Sequence, residues 1–152
     1  MQAVGRESAK KLGLKIDSTI GDVHRLPYPD NYFDVATIQY ASRHLRVVEV
    51  FSEVKRVLKP GGHFYHCDML RPGNRWVEKI HYSYLRLCLT VTGWIFSSGP
   101  AAFNSREYFM NALSMFYSAE ELSEVLRHVG FDDVTSKTML GGLVAFHKAT
   151  KK

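Results

Sequence analysis

Apolar and polar residues alternate with two different periods along the chain, and the switches between them mark out the elements. Gln2 to Leu12 is polar and helix-compatible, with Gly13 in the position of a helix C-terminal glycine. Lys15 to Ile20 reads as a short extended strand that Gly21 and Asp22 break off. Leu26-Pro27-Tyr28-Pro29-Asp30-Asn31 is a turn-rich loop whose two prolines fix its backbone. Phe33 to Tyr40 is apolar and β-branched, as suits a strand of a parallel sheet covered on both faces. From Val47 to Leu58, the residues Val47, Val50, Phe51, Val54, Val57 and Leu58 fall on one helical stripe. Lys59-Pro60-Gly61-Gly62 stops that helix, and His63 to Met69 is the next strand.

Strand, helix and strand joined by short connections make a βαβ unit, so the expected architecture is an α/β domain with a parallel, doubly wound sheet. Asn74 to Met115 changes character: Ile80, Tyr84, Leu87, Val91 and Trp94 recur at steps of four and three, which predicts a largely helical insertion. Ser118 with Glu120 and Glu121 opens a further helix, and Gly130 closes it. Phe131 to Lys137 and Leu140 to His147 read as two final strands, joined through Gly141 and Gly142 or by the turn just before them.

With 152 residues, 45% of them hydrophobic, one domain with a real core is expected. The net charge of +5 is spread along the chain, without a block dense enough for a nucleic-acid arm, and reads as solubility. Cys67 and Cys88 lie in different elements without C-x-x-C spacing, which suggests reduced, intracellular thiols rather than a disulfide or zinc framework. The N-terminus has no secretory pattern, and Tyr84 to Phe96, interrupted by Arg86 and Gly93, is too short to span a bilayer.

Several residues carry candidate chemistry. Asp22 falls at the carboxyl end of an expected strand, where open α/β sheets place ligands; there it is either an acceptor for a ligand amino group or a turn-capping carboxylate. Arg43, just past the strand ending near Gln39, offers a permanently charged fork of donors for an oxyanion, or else is a surface arginine opening a helix. His44 is a possible general base or polar surface. Asp68 ends its strand and either lines the cleft or makes structural hydrogen bonds. His63 and His66, three apart in a strand, face opposite ways and cannot jointly hold a metal.

Residues 21 to 69, GDVHRLPYPDNYFDVATIQYASRHLRVVEVFSEVKRVLKPGGHFYHCDM, resemble the middle of the ubiquinone and menaquinone C-methyltransferases. The ending GFDDVTSKTMLGGLVAFHKA is similar to that family's C-terminal signature, a paired glycine before a short apolar strand and a histidine. The resemblance implies a Rossmann-like class I methyltransferase sheet, N-terminally truncated so that the first two strands and the glycine-rich loop are absent. Residues 1–152 would form a single partial domain, with 74–115 as a helical lid.

It further implies S-adenosylmethionine as cofactor, with adenine contacts from Asp22 and the Val23 backbone, a contact near the methionine part from Gln39, and a catalytic role for Arg43, whereas a catalytic role for His44 follows only from its imidazole. Arg43 matches the arginine of a glycine, any residue, arginine, asparagine motif, in which this sequence has Ala41 and His44 in place of the glycine and the asparagine. The implied reaction is C-methylation of a prenylated quinol precursor, demethylmenaquinol or a ubiquinone precursor, by a fragment or subunit inactive alone. Alternatives are a partner-dependent, non-catalytic subunit and a methyltransferase for another small molecule. A cytoplasmic location, peripheral contact with a membrane, and a homo-oligomer or a complementing N-terminal chain are compatible with this reading, and no nucleic-acid partner is expected.

Overall fold

In the computed structural model, which describes residues 2–95 and 114–152, a central strand β2 (Leu58–Met69) is paired along both edges. Strand β1 (Phe33–Gln39) lies parallel to it on one side and β4 (Val144–Thr150) antiparallel on the other, with β3 (Asp132–Met139) antiparallel to β4, giving the order β1-β2-β4-β3. Helices α1 (Gln2–Lys11), α2 (Val47–Val57), α3 (Arg75–Ile95) and α4 (Ala119–Val129), with 3-10 turns at Ser42–His44 and Leu140–Gly142, complete the described elements. The βαβ unit is the β1-α2-β2 crossover, and of the four described strands β4 alone runs against the others, since β3, antiparallel to β4, points the same way as β1 and β2. The expected all-parallel sheet is therefore a mixed one.

Helices α2 and α4 form because their apolar residues sit on one stripe, and both stripes are buried against the same sheet face. Val50, Phe51 and Val54 of α2 and Leu122 and Leu126 of α4 meet Phe64 of β2 and Ala145 and Ala149 of β4 in one core cluster. Each large side chain removed from water there contributes roughly 1.5–3 kcal/mol. Phe51 and Phe64 pack edge to face at 5.1 Å between centroids, and Phe131 stacks on Phe64 at 5.7 Å. A capping box starts α4: the Ser118 hydroxyl accepts from Glu121 N at 3.3 Å, and the Glu121 carboxylate accepts from Ser118 N at 2.8 Å. Gly130 ends it in the left-handed region, φ 91°.

The Lys59–Gly62 segment is a bulge at the start of β2 rather than a free turn, since Phe33 pairs with Leu58 but Val35 pairs with His63. Gly62 is required there: a Cβ on it would stand 2.8 Å from the Lys59 carbonyl oxygen and 3.1 Å from that of Asp34. The loop before β1 is fixed to α2 by Arg56. Its guanidinium donates to Asp30 at 2.6 Å, to Glu53 at 2.7 Å and to the Tyr28 carbonyl at 2.9 Å.

Two further expectations need correction. Lys15 to Ile20 is not a strand, and Ile16 and Ile20 are exposed. A lone extended segment gains no ladder hydrogen bonds, and the outer edge of β1 carries no neighbour among the described residues. The final strand begins at Val144 instead of Leu140, because Leu140–Gly142 forms a 3-10 turn in which all three residues have positive φ. Only the first part of the 74–115 insertion is described, as α3, and residues 96–113 lie outside the described residues.

The two sheet faces differ. The face under α2 and α4 is sealed, whereas on the other Val35, Tyr65 and Phe146 are 50%, 40% and 46% exposed. On the sealed face of β2 the inward residues are Phe64, His66 and Asp68, so an imidazole and a carboxylate take positions that core packing would fill with apolar groups. Burial lowers His66 to about 4, helped by the neighbouring His147, while Asp68 pulls weakly the other way. With its folded value below the unfolded one, His66 leaves stability at its full level above about pH 6.5 and reduces it as pH falls towards 4. Denaturant titrations at pH 7.5 and 4.5 should show a loss on the order of 2 to 3 kcal/mol. In His66→Leu that loss should shrink to the part contributed by other groups, His147 among them, whose value burial also lowers.

Candidate active site

Both parallel strands, β1 and β2, end at the same rim of the sheet, and open α/β folds bind ligands at such a rim. At the end of β1 the backbone turns at Tyr40, which has φ 52°, and its N–H donates to the Cys67 carbonyl at 2.9 Å. A non-glycine residue in that region is strained, and the contacts of Ser42 hold the strained turn in place. Ser42, in the 3-10 turn Ser42–His44, folds back over the end of β2. Its N–H and its hydroxyl both donate to Asp68 Oδ2, at 2.9 and 2.8 Å.

Asp68 is fully buried, and its other oxygen accepts from Met69 N at 2.7 Å. Arg43 Nε lies 3.7 Å from that oxygen, with the Arg43 side chain only 11% exposed. A buried carboxylate with several donors is well satisfied, and its charge holds a guanidinium at the rim. Arg43 is thus a positioned cation, not a surface arginine. His44 is exposed and makes no side-chain hydrogen bond or ion pair among the described residues, so nothing orients it as a base.

Gln39 pairs with Cys67 in register, one residue before Asp68, and is exposed at the rim. Asp22 sits in a turn of its own making, in which Oδ1 accepts from His24 N at 2.9 Å and from His24 Nδ1 at 2.7 Å. These bonds hold its carboxyl below the usual range, the backbone N–H most of all. His24 Nε2 in turn accepts from Arg46 N at 3.3 Å, which fixes its tautomer as Nδ1–H and ties the Asp22 turn to the start of α2, three residues beyond Arg43. Val23 packs against the core cluster, and the Asp22 side chain is 65% exposed. The rim therefore brings together Gln39, Arg43 and Asp68, with the Asp22–Val23 turn joined to it through His24.

Sequence reasoning missed Ser42, His24 and the core role of His66. The polar interruptions of the inward row Phe64, His66, Asp68 were the available signal for His66. A serine after a strand and a histidine two residues past an aspartate carry no comparable mark.

An exposed carboxylate with an unoccupied Oδ2 suits an amino-group donor such as adenine, and a charged guanidinium at the rim suits an oxyanion. These residues fit a nucleoside cofactor and an anionic acceptor, but the described rim offers no glycine-rich loop to approach a cofactor closely.

Comparison with known proteins bears on the fold and on the family. The sequence profile of the ubiE/COQ5 methyltransferase family matches residues 1–151. The chain is 30% identical to the mitochondrial 2-methoxy-6-polyprenyl-1,4-benzoquinol methylase of Bos taurus, over 99% of this chain and 46% of that protein. It is also 30% identical to the ubiquinone/menaquinone biosynthesis C-methyltransferase UbiE of Ectopseudomonas mendocina, over 99% of this chain and 59% of the relative. The chain thus spans about half to three-fifths of the length of these relatives. Among solved structures, a putative methyltransferase from Bacillus halodurans superposes with a TM-score of 0.65 at 18% identity, covering 98% of this chain and 78% of its own. A SAM-dependent methyltransferase from Thermotoga maritima gives 0.63 at 19% identity, covering 96% and 68%. The fold is that of the class I methyltransferases, and with a profile match over nearly its whole length this chain belongs to the ubiE/COQ5 methyltransferase family.

Proposed function

We propose that this chain is the C-terminal part of an S-adenosylmethionine-dependent C-methyltransferase acting on a prenylated quinol, and that it is inactive without a glycine-rich cofactor-binding segment. The observation that carries this reading is Arg43, held at the carboxyl rim of two parallel strands by a fully buried carboxylate. Bound S-adenosylmethionine would supply an electrophilic methyl group. Asp22 Oδ2 would accept from the adenine amino group, with the Val23 backbone beside it and Gln39 nearer the methionine part. Arg43 would stabilise the quinol oxyanion, which makes the neighbouring ring carbon nucleophilic, and would do so without giving up a proton of its own. His44, exposed and unoriented, contributes less than Arg43 in this scheme.

Helix α3 supports a prenylated acceptor. Trp76, Ile80, Tyr84, Leu87, Val91 and Trp94 fall within a narrow arc of its surface, and all are exposed, from 45% to 83%. Arg75, Lys79 and Arg86 run along one flank of that stripe. Such a face suits an isoprenoid tail or the lipid surface that holds it, with the basic side chains reaching for headgroups. Among the described residues no helix is long and apolar enough to cross a membrane.

Ala41 and His44, in place of the family's glycine and asparagine, favour a second reading as a methyltransferase-like subunit that binds without catalysing. Methyl transfer by the complemented protein separates the two. In calorimetry the chain alone should not bind S-adenosylmethionine, whereas the chain joined to the N-terminal segment of a longer relative should. Asp22→Ala should then weaken binding by about 1.5–3 kcal/mol, the value of a charged hydrogen bond. In the same complemented protein Arg43→Ala should lower kcat by about 10²–10³ with a smaller change in cofactor affinity; methyl transfer undiminished by that change would sink the assignment.

The tail reading makes a separate claim. Replacing Leu87 and Val91 by serine should raise KM at least about tenfold for a long-chain prenylated quinol, from about 1.5–3 kcal/mol per side chain, and leave a short-chain analogue unaffected.

A further inference from the structure

Four close contacts run in series through the core from the rim to α4. Asp68 Oδ2 lies 2.8 Å from Ser42 Oγ, and Ser42 Oγ lies 2.5 Å from His66 Nε2. His66 Nδ1 is 3.4 Å from His147 Nδ1, and His147 Nε2 is 3.0 Å from the Ala119 carbonyl oxygen. All four side chains are buried. The two ends, a carboxylate and a carbonyl, can only accept. Between them Ser42, His66 and His147 each bring one hydrogen when both imidazoles are neutral. Three hydrogens serve four contacts, so one contact goes without.

The ends decide which one. Ala119 O also accepts from the Ser123 hydroxyl at 2.8 Å, but His147 Nε2 can stand 3.0 Å from that carbonyl only with its hydrogen on Nε2, which leaves a lone pair on His147 Nδ1. Asp68 Oδ2 accepts from the Ser42 amide as well, but the Ser42 oxygen can stand 2.8 Å from a carboxylate oxygen only as a donor, and must then accept from His66. That puts the hydrogen of His66 on Nε2 and a second lone pair on its Nδ1. The two lone pairs face each other across 3.4 Å, the longest contact of the series. Any other distribution leaves a contact of 3.0 Å or less, between electronegative atoms, with no hydrogen in it. The charged and titratable groups around His66 agree with a neutral ring: His147 from β4 and Asp68 from its own strand face it, Arg43 stands beyond Asp68, and Glu120 of α4 acts on His147. Burial opposes a charge on either imidazole.

We infer that His66 is a positioning residue for Arg43, acting as the Nε2–H tautomer through the Ser42 hydroxyl onto Asp68. The His66 hydrogen fixes the Ser42 oxygen, the Ser42 hydroxyl and amide clamp one oxygen of Asp68, and the other oxygen faces the guanidinium. Ser42 is also the residue preceding Arg43, so the clamp sets both the backbone from which the guanidinium departs and the charge towards which it points. The relay ends at the imidazole pair, where no hydrogen is shared, so His147 anchors α4 and does not govern Arg43. The catalytic meaning of this device rests on the role proposed for Arg43; its existence does not.

The test is nitrogen-15 NMR of the full chain at pH 7, without cofactor or acceptor. The long-range spectra of the imidazoles should show His66 and His147 both neutral and both carrying hydrogen on Nε2. The Arg43 Nε–H signal should be protected from solvent exchange. His66→Leu should speed that exchange by about tenfold, the factor for one net hydrogen bond. His66→Gln, whose amide can still donate to Ser42, should restore protection, and His147→Leu should leave Arg43 unchanged. If His66→Leu disturbs the β2 amide signals, Ser42→Ala against Ser42→Thr makes the same comparison at the next link, with loss in the first and retention in the second. Finding His66 as the Nδ1–H tautomer or as an imidazolium overturns the inference, as does Arg43 exchange unaltered by Ser42→Ala. Inactivity of the complemented enzyme would count against the proposed function and leave these signals untouched.

Discussion

The interaction on which the rest of the molecule depends is the clamp between Ser42 and Asp68. A carboxylate without solvent contact costs several kcal/mol unless its lone pairs are met, and here the Ser42 amide, the Ser42 hydroxyl and the Met69 amide meet them. Those bonds join the turn after β1 to the end of β2, so they close the crossover through α2 at the rim, while the Arg56 contacts to Asp30 and Tyr28 fasten its other end. Arg43 inherits its position from that closure. The Asp22 turn is tied in through His24 and the first turn of α2, which makes the rim one connected piece rather than a set of separate loops.

The sealed face of the sheet shows how a core can carry chemistry without losing its packing. Phe51 lies edge-on to both Phe64 and His66, at 5.1 and 5.7 Å between centroids, so the imidazole is packed as an aromatic ring while its nitrogens serve a polar series. An aliphatic residue at position 66 would fill the space and lose the series. A smaller polar residue would keep one bond and leave a void. The other face, with Tyr65 and Phe146 half-exposed around a depression of about 420 Å³, carries no such constraint.

How much of this was legible in the sequence depended on the range of the interaction involved. Helices α2 and α4 were readable because the stripe of Val50, Phe51 and Val54 and the Ser118 to Glu121 cap are local signals. Strand β2 was readable from its composition, although its first residues, Leu58 to Gly62, looked like a helix stop because a bulge and a turn use the same glycines. Lys15 to Ile20 has strand-like composition and no strand, since pairing is supplied by a neighbour and not by the segment itself. The direction of β4 was equally hidden, being set by what α4 and the Leu140–Gly142 turn do to the chain. In the site, Asp22 and Arg43 stood out as charged residues just past expected strands, and the fold brought Arg43 to a buried partner. His66 did not stand out as a polar link, because a histidine in a strand means little until its bonding partner Ser42, 24 residues away, and the ring beside it, His147, 81 residues away, are known.

That separation has a consequence for how the molecule is made. The middle strand of the sheet cannot be closed on its antiparallel side until residues 144–150 are available, so during synthesis its edge, with Phe64 and His66 on the inner face, waits for about half the chain to be made. Contacts so distant in sequence form late and slowly. A ribosome-bound intermediate would present an open sheet edge beside an exposed apolar helix α3, the combination that attracts both chaperones and other nascent chains. The last strand is therefore the latch of the domain, and the temporal order of translation is part of its folding problem.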